Sequence, residues 1–148
     1  MPASSTATSP QQLINTAKAP MLAYNAKDWN AARSAITDDF IYDEVGTRRK
    51  VQGADQALSL WKGWAAAFPD SKASFDNALA SGETVVLEVT WRGTHTGPLQ
   101  TPRGPLAPTG RRIELRACMA LEVAGDRVRA QRQYFDMATM MEQLGQTT

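Results

Sequence analysis

One cysteine and one histidine are all that the 148 residues offer of the strongest metal-ligating side chains. Cys118 alone cannot close an internal disulfide, and with His95 it cannot supply the several ligands of a zinc site. Excess charge of one sign is also missing. Sixteen basic residues stand against 15 acidic ones, a net charge of +1, so no global field draws the chain to nucleic acid or an anionic membrane. No apolar run approaches the roughly 20 residues that span a bilayer, and the N-terminus has neither the basic nor the apolar region of a signal peptide. The expected location is therefore the cytoplasm. The sequence has no internal repeat, phosphate-cradling glycine loop, dinucleotide fingerprint, metalloprotease helix or nucleophile elbow.

What is present fits one domain with its own core: 43% of the residues are hydrophobic and 21% charged. Residues 1–10 are Ser, Thr, Ala and Pro with little to bury and read as a disordered tail, leaving 11–148 as the domain. Leu13, Ile14, Ala17, Met21 and Tyr24 recur at helical spacing, with Pro20 expected to kink or split that helix. A short helix follows Asp28, a plausible N-cap, over Trp29 to Ile36. Phe40 to Val45 and the residues near Val51 read as strands. Ala57, Leu58, Trp61, Trp64, Ala65 and Phe68 form a second helical stripe that stops at Pro69. Strands are expected over Lys72–Ala80, Glu83–Thr96, Arg111–Val123 and Arg127–Asp136, and a last helix over Met137–Leu144. Gly97 to Gly110 holds four prolines and is expected to be irregular. Helices first and an antiparallel meander after argue an α+β domain, its helices on one face of a curved sheet that wraps a pocket.

Strand counting then places candidate site residues. If Gly125 and Asp126 form a two-residue turn, Val123 faces Val128, Leu121 faces Ala130, Met119 faces Arg132, Ala117 faces Tyr134 and Leu115 faces Asp136. Asp136 and Arg132 then share the inner face with Leu115, Met119 and Leu121, while Glu122 and Arg129 pair outside. Alternation also puts Trp91 and His95 inside, and antiparallel order brings His95 and Asp136 to one end of the cavity. An acid and an imidazole so placed can remove a proton beside a carbonyl and hold the resulting enolate. Burial would raise the acid's pKa toward neutrality. Structural roles compete: Asp136 can cap the last helix, His95 can bond the adjoining loop, and the tryptophans can be core. Cys118 counts to the outer face.

Tyr24–Trp29, the run Trp64 to Asp70, Gly93-Thr94-His95-Thr96-Gly97, Pro108-Thr109-Gly110 and Tyr134-Phe135-Asp136 with Gln143-Leu144-Gly145 together resemble the SnoaL-like polyketide cyclase, or ester cyclase, family of the NTF2-like superfamily. The resemblance implies a cone-shaped NTF2-like fold and an intramolecular aldol ring closure on an apolar polyketide-like substrate, with Asp136 as general acid/base and no cofactor. It further implies that Met21, Tyr24, Trp61, Trp64, Phe68 and Trp91 hold the substrate, with Met119 on the inner face. His95, Tyr134 and Arg132 are left to stabilise the enolate. Related folds hydrolyse epoxides with an Asp-Arg-Asp set, for which Asp43 would be the second acid, and others bind small molecules without catalysis. The expected partners are an apolar small molecule and a second copy of the chain, a homodimer joined through the exposed sheet face.

Overall fold

The computed structural model describes residues 8–146. The tail expected over 1–10 lies mostly outside them, but Ser9 and Pro10 already belong to the first helix. In α1 (Pro10–Ala26) the Ser9 hydroxyl accepts from the Gln12 N–H while the Gln12 side chain accepts from the Ser9 N–H, closing a capping box. Pro10 stands at the start of the helix, where a missing N–H costs nothing. Pro20 does not split α1. It removes one helical hydrogen bond, but burial of the flanking Ala17, Met21 and Tyr24 keeps the helix continuous across it. Helix α2 (Trp29–Ser34) is capped as expected, Asp28 Oδ1 accepting from the Ala31 N–H at 3.0 Å.

Strands β1 (Ile36–Glu44) and β2 (Arg49–Gln52) form a hairpin, and α3 (Ala54–Ala67) follows with Ala57, Leu58 and Trp61 buried. Then come β3 (Lys72–Ser81), β4 (Thr84–Thr94), β5 (Leu99–Thr101), β6 (Gly104–Leu106), β7 (Arg112–Ala124), β8 (Arg127–Phe135) and α4 (Met137–Gln143). The main sheet runs β2-β1-β8-β7-β4-β3. It is curved and unclosed, with helices on its concave face, the α+β, cone-shaped architecture expected. Every pairing is antiparallel except β1 with β8, which is parallel because β1 enters beside the last strand.

The segment expected to be irregular, Gly97 to Gly110, contains the small hairpin β5–β6. Leu99 anchors it in an apolar cluster with Phe68, Ile113, Leu115, Met140 and Leu144, a burial worth about 2 kcal/mol for such a side chain. The Thr96 and Gly97 N–H groups donate to the Ala67 carbonyl at the end of α3, each at 3.1 Å. A Cβ on Gly97 would lie 2.0 Å from the Ala66 carbonyl oxygen, so only glycine permits this approach.

The hairpin of β7 and β8 overturns the simple strand count. Val123 does pair with Val128, but Glu122 pairs with Ala130, leaving Arg129 as an extra, unpaired residue. This bulge shifts the frame by one residue. Leu121 therefore faces Gln131, Met119 faces Gln133 and Ala117 faces Phe135. Because side chains alternate, Gln131, Gln133 and Phe135 turn to the concave face, and Arg132, Tyr134 and Asp136 turn away.

Candidate functional site

An apolar cavity opens between α1, α3, α4 and the sheet. It is lined by Met21 and Tyr24 of α1, Tyr42 of β1, Trp61 and Trp64 of α3, Phe68 and Ser71 beyond it, Trp91, Ile113 and Leu115 of the central strands, Gln133 and Phe135 of β8, and Met140 of α4. Its enclosed volume is about 60 Å³, and the atom-free space counted out through the open mouth is about 550 Å³. The enclosed part is smaller than the ~300–1,000 Å³ of drug-sized sites, so it suits a small ligand or one end of a larger one.

One line of polar side chains crosses this wall. The Trp91 indole N–H donates to Gln133 Oε1 at 2.9 Å, and Gln133 Nε2 donates to the Tyr42 hydroxyl at 2.7 Å. The Tyr42 hydroxyl donates to Glu44 Oε2 at 2.8 Å. Glu44 is wholly buried. Its Oε2 also accepts from the Trp64 indole at 2.8 Å, and its Oε1 accepts from the Thr47 hydroxyl at 2.6 Å and from the Arg49 Nε and Nη2 at 3.2 and 2.7 Å. A buried carboxylate survives only when paired and bonded in this way. Burial, and then the charge of Glu44, push the Tyr42 phenol well above its usual pKa, so it remains protonated. A second polar pair, Tyr24 and Ser71, joins hydroxyl to hydroxyl at 2.6 Å. Burial pushes the Tyr24 phenol up to about 12, although the Ser71 bond acts in the opposite direction.

Met21, Tyr24, Trp61, Trp64, Phe68 and Trp91 all line the cavity. The remaining candidates do not. Asp136 was expected inside and is exposed, because the bulge reverses its face; it caps α4, with Oδ1 accepting from the Ala138 N–H at 3.0 Å and Oδ2 from the Thr139 hydroxyl at 2.7 Å. The Thr139 bond, reinforced by the Ala138 and Thr139 N–H groups, holds its carboxyl below the usual value rather than above it. Arg132, turned outward by the same shift, bonds Glu122 at 3.0 Å beside the Arg129–Glu122 pair at 2.6 Å. Tyr134 is 45% exposed. Met119 is on the concave face but wholly buried in the core rather than in the cavity wall.

His95 is buried as expected, yet it lies behind Phe68, with ring centroids 5.2 Å apart, and does not line the cavity. Its Nδ1 accepts from the Thr109 N–H at 3.2 Å and lies 3.0 Å from the Thr109 hydroxyl, so it fastens the loop before β7. Burial lowers its pKa. Asp43 falls on the opposite face of β1 from the buried Tyr42 and Glu44. The acid–arginine–acid set required for epoxide opening is therefore not assembled in the cavity from Asp43, Arg132 and Asp136.

Glu44, Tyr42 and Gln133 are not among the residues the sequence pattern singles out. Alternation from Phe40 through Tyr42 to Glu44 was the available signal for the first two; for Gln133 none existed without knowledge of the bulge. Among the described residues, no three His, Cys, Asp or Glu side chains converge to hold a metal ion. Among the same residues, no helix is long and apolar enough to cross a membrane.

The family model of SnoaL-like polyketide cyclases matches residues 16–144. The chain belongs to that family. No curated protein matches its sequence. Among solved structures, this SnoaL-like chain is similar to IdmH of Streptomyces antibioticus, provisionally described as a polyketide cyclase, at 25% identity over 90% of this chain and 99% of that one, with a TM-score of 0.78. A SnoaL-like protein from Jannaschia sp. CCS1, also provisionally described as a polyketide cyclase, gives 19% identity, 94% and 95% coverage and a TM-score of 0.80. An LEH-like epoxide hydrolase from M. tuberculosis gives 21%, 91% and 90%, and 0.71. These likenesses establish the NTF2-like fold; the cavity itself must argue the chemistry.

Proposed function

We propose that this SnoaL-like protein is a cofactor-independent enzyme that encloses an apolar carbonyl compound and moves a proton beside the carbonyl through Tyr42 and Glu44, not through Asp136. The observation that carries this reading is the hydrogen-bonded line from Trp91 through Gln133 and Tyr42 to Glu44, set in a wall that is otherwise almost wholly apolar. The Tyr42 oxygen takes the proton from the carbon as its own proton passes to Glu44 Oε2. Both return when the carbanion has attacked a second carbonyl and the new alkoxide oxygen is protonated. The cycle consumes no electron and no net proton, which is why no cofactor enters it. Arg49, ion-paired to Glu44 at 2.7 Å, fixes the carboxylate throughout.

A second reading is favoured by one observation: Glu44 already accepts five hydrogen bonds, a full complement for a carboxylate. On that reading the line is structural and the cavity only binds its ligand. Deuterium exchange into the methyl group of acetophenone, followed by NMR, separates the two. The enzymatic reading expects acceleration by the native protein, a loss of about 10²–10⁴-fold in Tyr42→Phe and in Glu44→Gln, and no loss in Asp136→Asn. Binding without exchange by the native protein would establish the second reading instead.

A further inference from the structure

A second, open cleft lies apart from the cavity, where the end of α1 meets the sheet. Asn25, Asp70, Lys72, Ser74, Arg92 and Arg112 line it, so its walls carry three cations and one carboxylate in a chain whose net charge is only +1. Strand register concentrates that charge. Lys72 stands directly opposite Arg92, and Arg112 lies on the next strand, opposite Thr94. Like charges set opposite each other across strands cost stability. Arg92 is paired, bonding Glu114 at 2.8 Å and the Ser74 hydroxyl at 3.0 Å. Among the described residues, neither Lys72 nor Arg112 forms an ion pair. Asp70 spends both oxygens on Thr94, accepting from its N–H at 2.7 Å and its hydroxyl at 2.8 Å. The Thr94 N–H, and to a lesser extent Arg112, hold the Asp70 carboxyl below its usual value. Lys27 stands beside the cleft, its ammonium donating to the Ser71 carbonyl. Burial, and then the charge of Lys72, lower the Lys27 pKa, although Asp70 acts in the opposite direction. Counting Lys27 and Glu114 with the walls leaves an excess of two positive charges. Asn25 bonds the N–H and the carbonyl of Ala73, which fastens α1 to β3 and fixes the cleft's shape.

We propose that this cleft binds a dianionic phosphoryl group, as free phosphate or as the phosphate of a small ester, with Lys72 and Arg112 as its charged donors and Arg92 and the Ser74 hydroxyl beside them. A dianion matches the excess of two positive charges, whereas a monocarboxylate answers only half of it. A guanidinium fork and an ammonium give the phosphoryl oxygens donors from two strands, and the bound anion relieves the repulsion between Lys72 and Arg92. All of these side chains are exposed, so a ligand reaches them from solvent. Ser71 lines the cavity and the adjoining Lys72 lines the cleft, so the two sites lie on opposite sides of one segment. The inference is independent of the Tyr42 relay.

The test titrates the ¹⁵N-labelled native protein with inorganic phosphate, phenyl phosphate and acetate at constant ionic strength and about pH 8, where the phosphoryl probes are dianions. The Lys72, Thr94 and Arg112 amide signals should move together and saturate with phosphate, and acetate should bind at least about ten-fold more weakly. Lys72→Gln combined with Arg112→Gln should weaken phosphate binding by at least about ten-fold. Equal responses to phosphate and acetate, or a phosphate response that the double variant retains, would overturn the proposal. The native protein supplies a check that needs no variant: phosphate should raise its Tm above that in chloride of equal ionic strength, and equal Tm values would overturn the proposal. Equal affinity for the two phosphoryl probes would support the site with free phosphate as its occupant. Tighter binding of phenyl phosphate would support it with a phosphorylated small molecule instead.

Discussion

Replacing Arg49 by Met isolates the energetics of the buried carboxylate. Arg49 supplies two of the hydrogen bonds to Glu44 and, among the described residues, its only ion pair, and its side chain is 36% exposed while that of Glu44 is wholly buried. Stripping the partner from a fully buried ion pair costs about 3–5 kcal/mol. Here water can enter where the half-exposed guanidinium stood, and the bonds from Tyr42, Trp64 and Thr47 persist, so about 2–3 kcal/mol is expected. For a chain of this size that corresponds to a fall in Tm of about 4–12 °C. The assay is urea unfolding of the native protein, Arg49→Met, Glu44→Gln and the double variant, read as a double-mutant cycle. With Gln at position 44 there is no buried charge to expose, so the double variant should lose less than the sum of the singles by at least about 1 kcal/mol. Additive losses, or an Arg49→Met variant as stable as the native protein, would refute the view that Glu44 depends on Arg49.

Two further outcomes follow from titrating groups. His95 has a folded pKa lowered by burial, so the unfolded chain binds more protons below about pH 6.5; stability should fall as the pH drops from there toward the folded value. In His95→Gln, that part of the pH profile measured by urea unfolding should be flat. Asp136 is lowered by its bond to Thr139 and the adjoining N–H groups, so its contribution is present above about pH 4 and is lost as the pH falls through the lower folded value. Asp136→Asn should flatten the acid limb of the same profile and speed hydrogen exchange in α4, leaving ligand affinity unchanged.

The elements were legible because local signals and packing agreed. The stripe Ala57, Leu58, Trp61 and Trp64 needed a sheet to cover it, and the alternation of Val85, Leu87, Val89 and Trp91 provided one. The aromatic half of the cavity wall followed from that, since those stripes must face each other. The polar half did not follow. Gln133 and Asp136 exchange places according to whether one residue of β8 is unpaired, and nothing in Gly125-Asp126 announces that Arg129 will be the one. The β5–β6 hairpin was hidden by its prolines: Pro105 sits opposite Gln100 in a two-stranded ribbon, where a missing N–H is tolerated at an edge.

The unpaired Arg129 makes β8 a strand with two possible alphabets. In the frame it has, β8 gives the cavity an amide and an aromatic ring; in the frame a tight hairpin would impose, the same face would carry a guanidinium, a phenol and a carboxylate. Losing the bulge while keeping every residue, so that Arg129 pairs with Glu122, would exchange a neutral lining for an ionisable one while the alternation that builds the core stays intact on β7; deleting Arg129 would instead keep the present lining. For a scaffold of this kind, the presence or absence of a bulge in the last hairpin is as direct a route to new chemistry as replacing the side chains themselves.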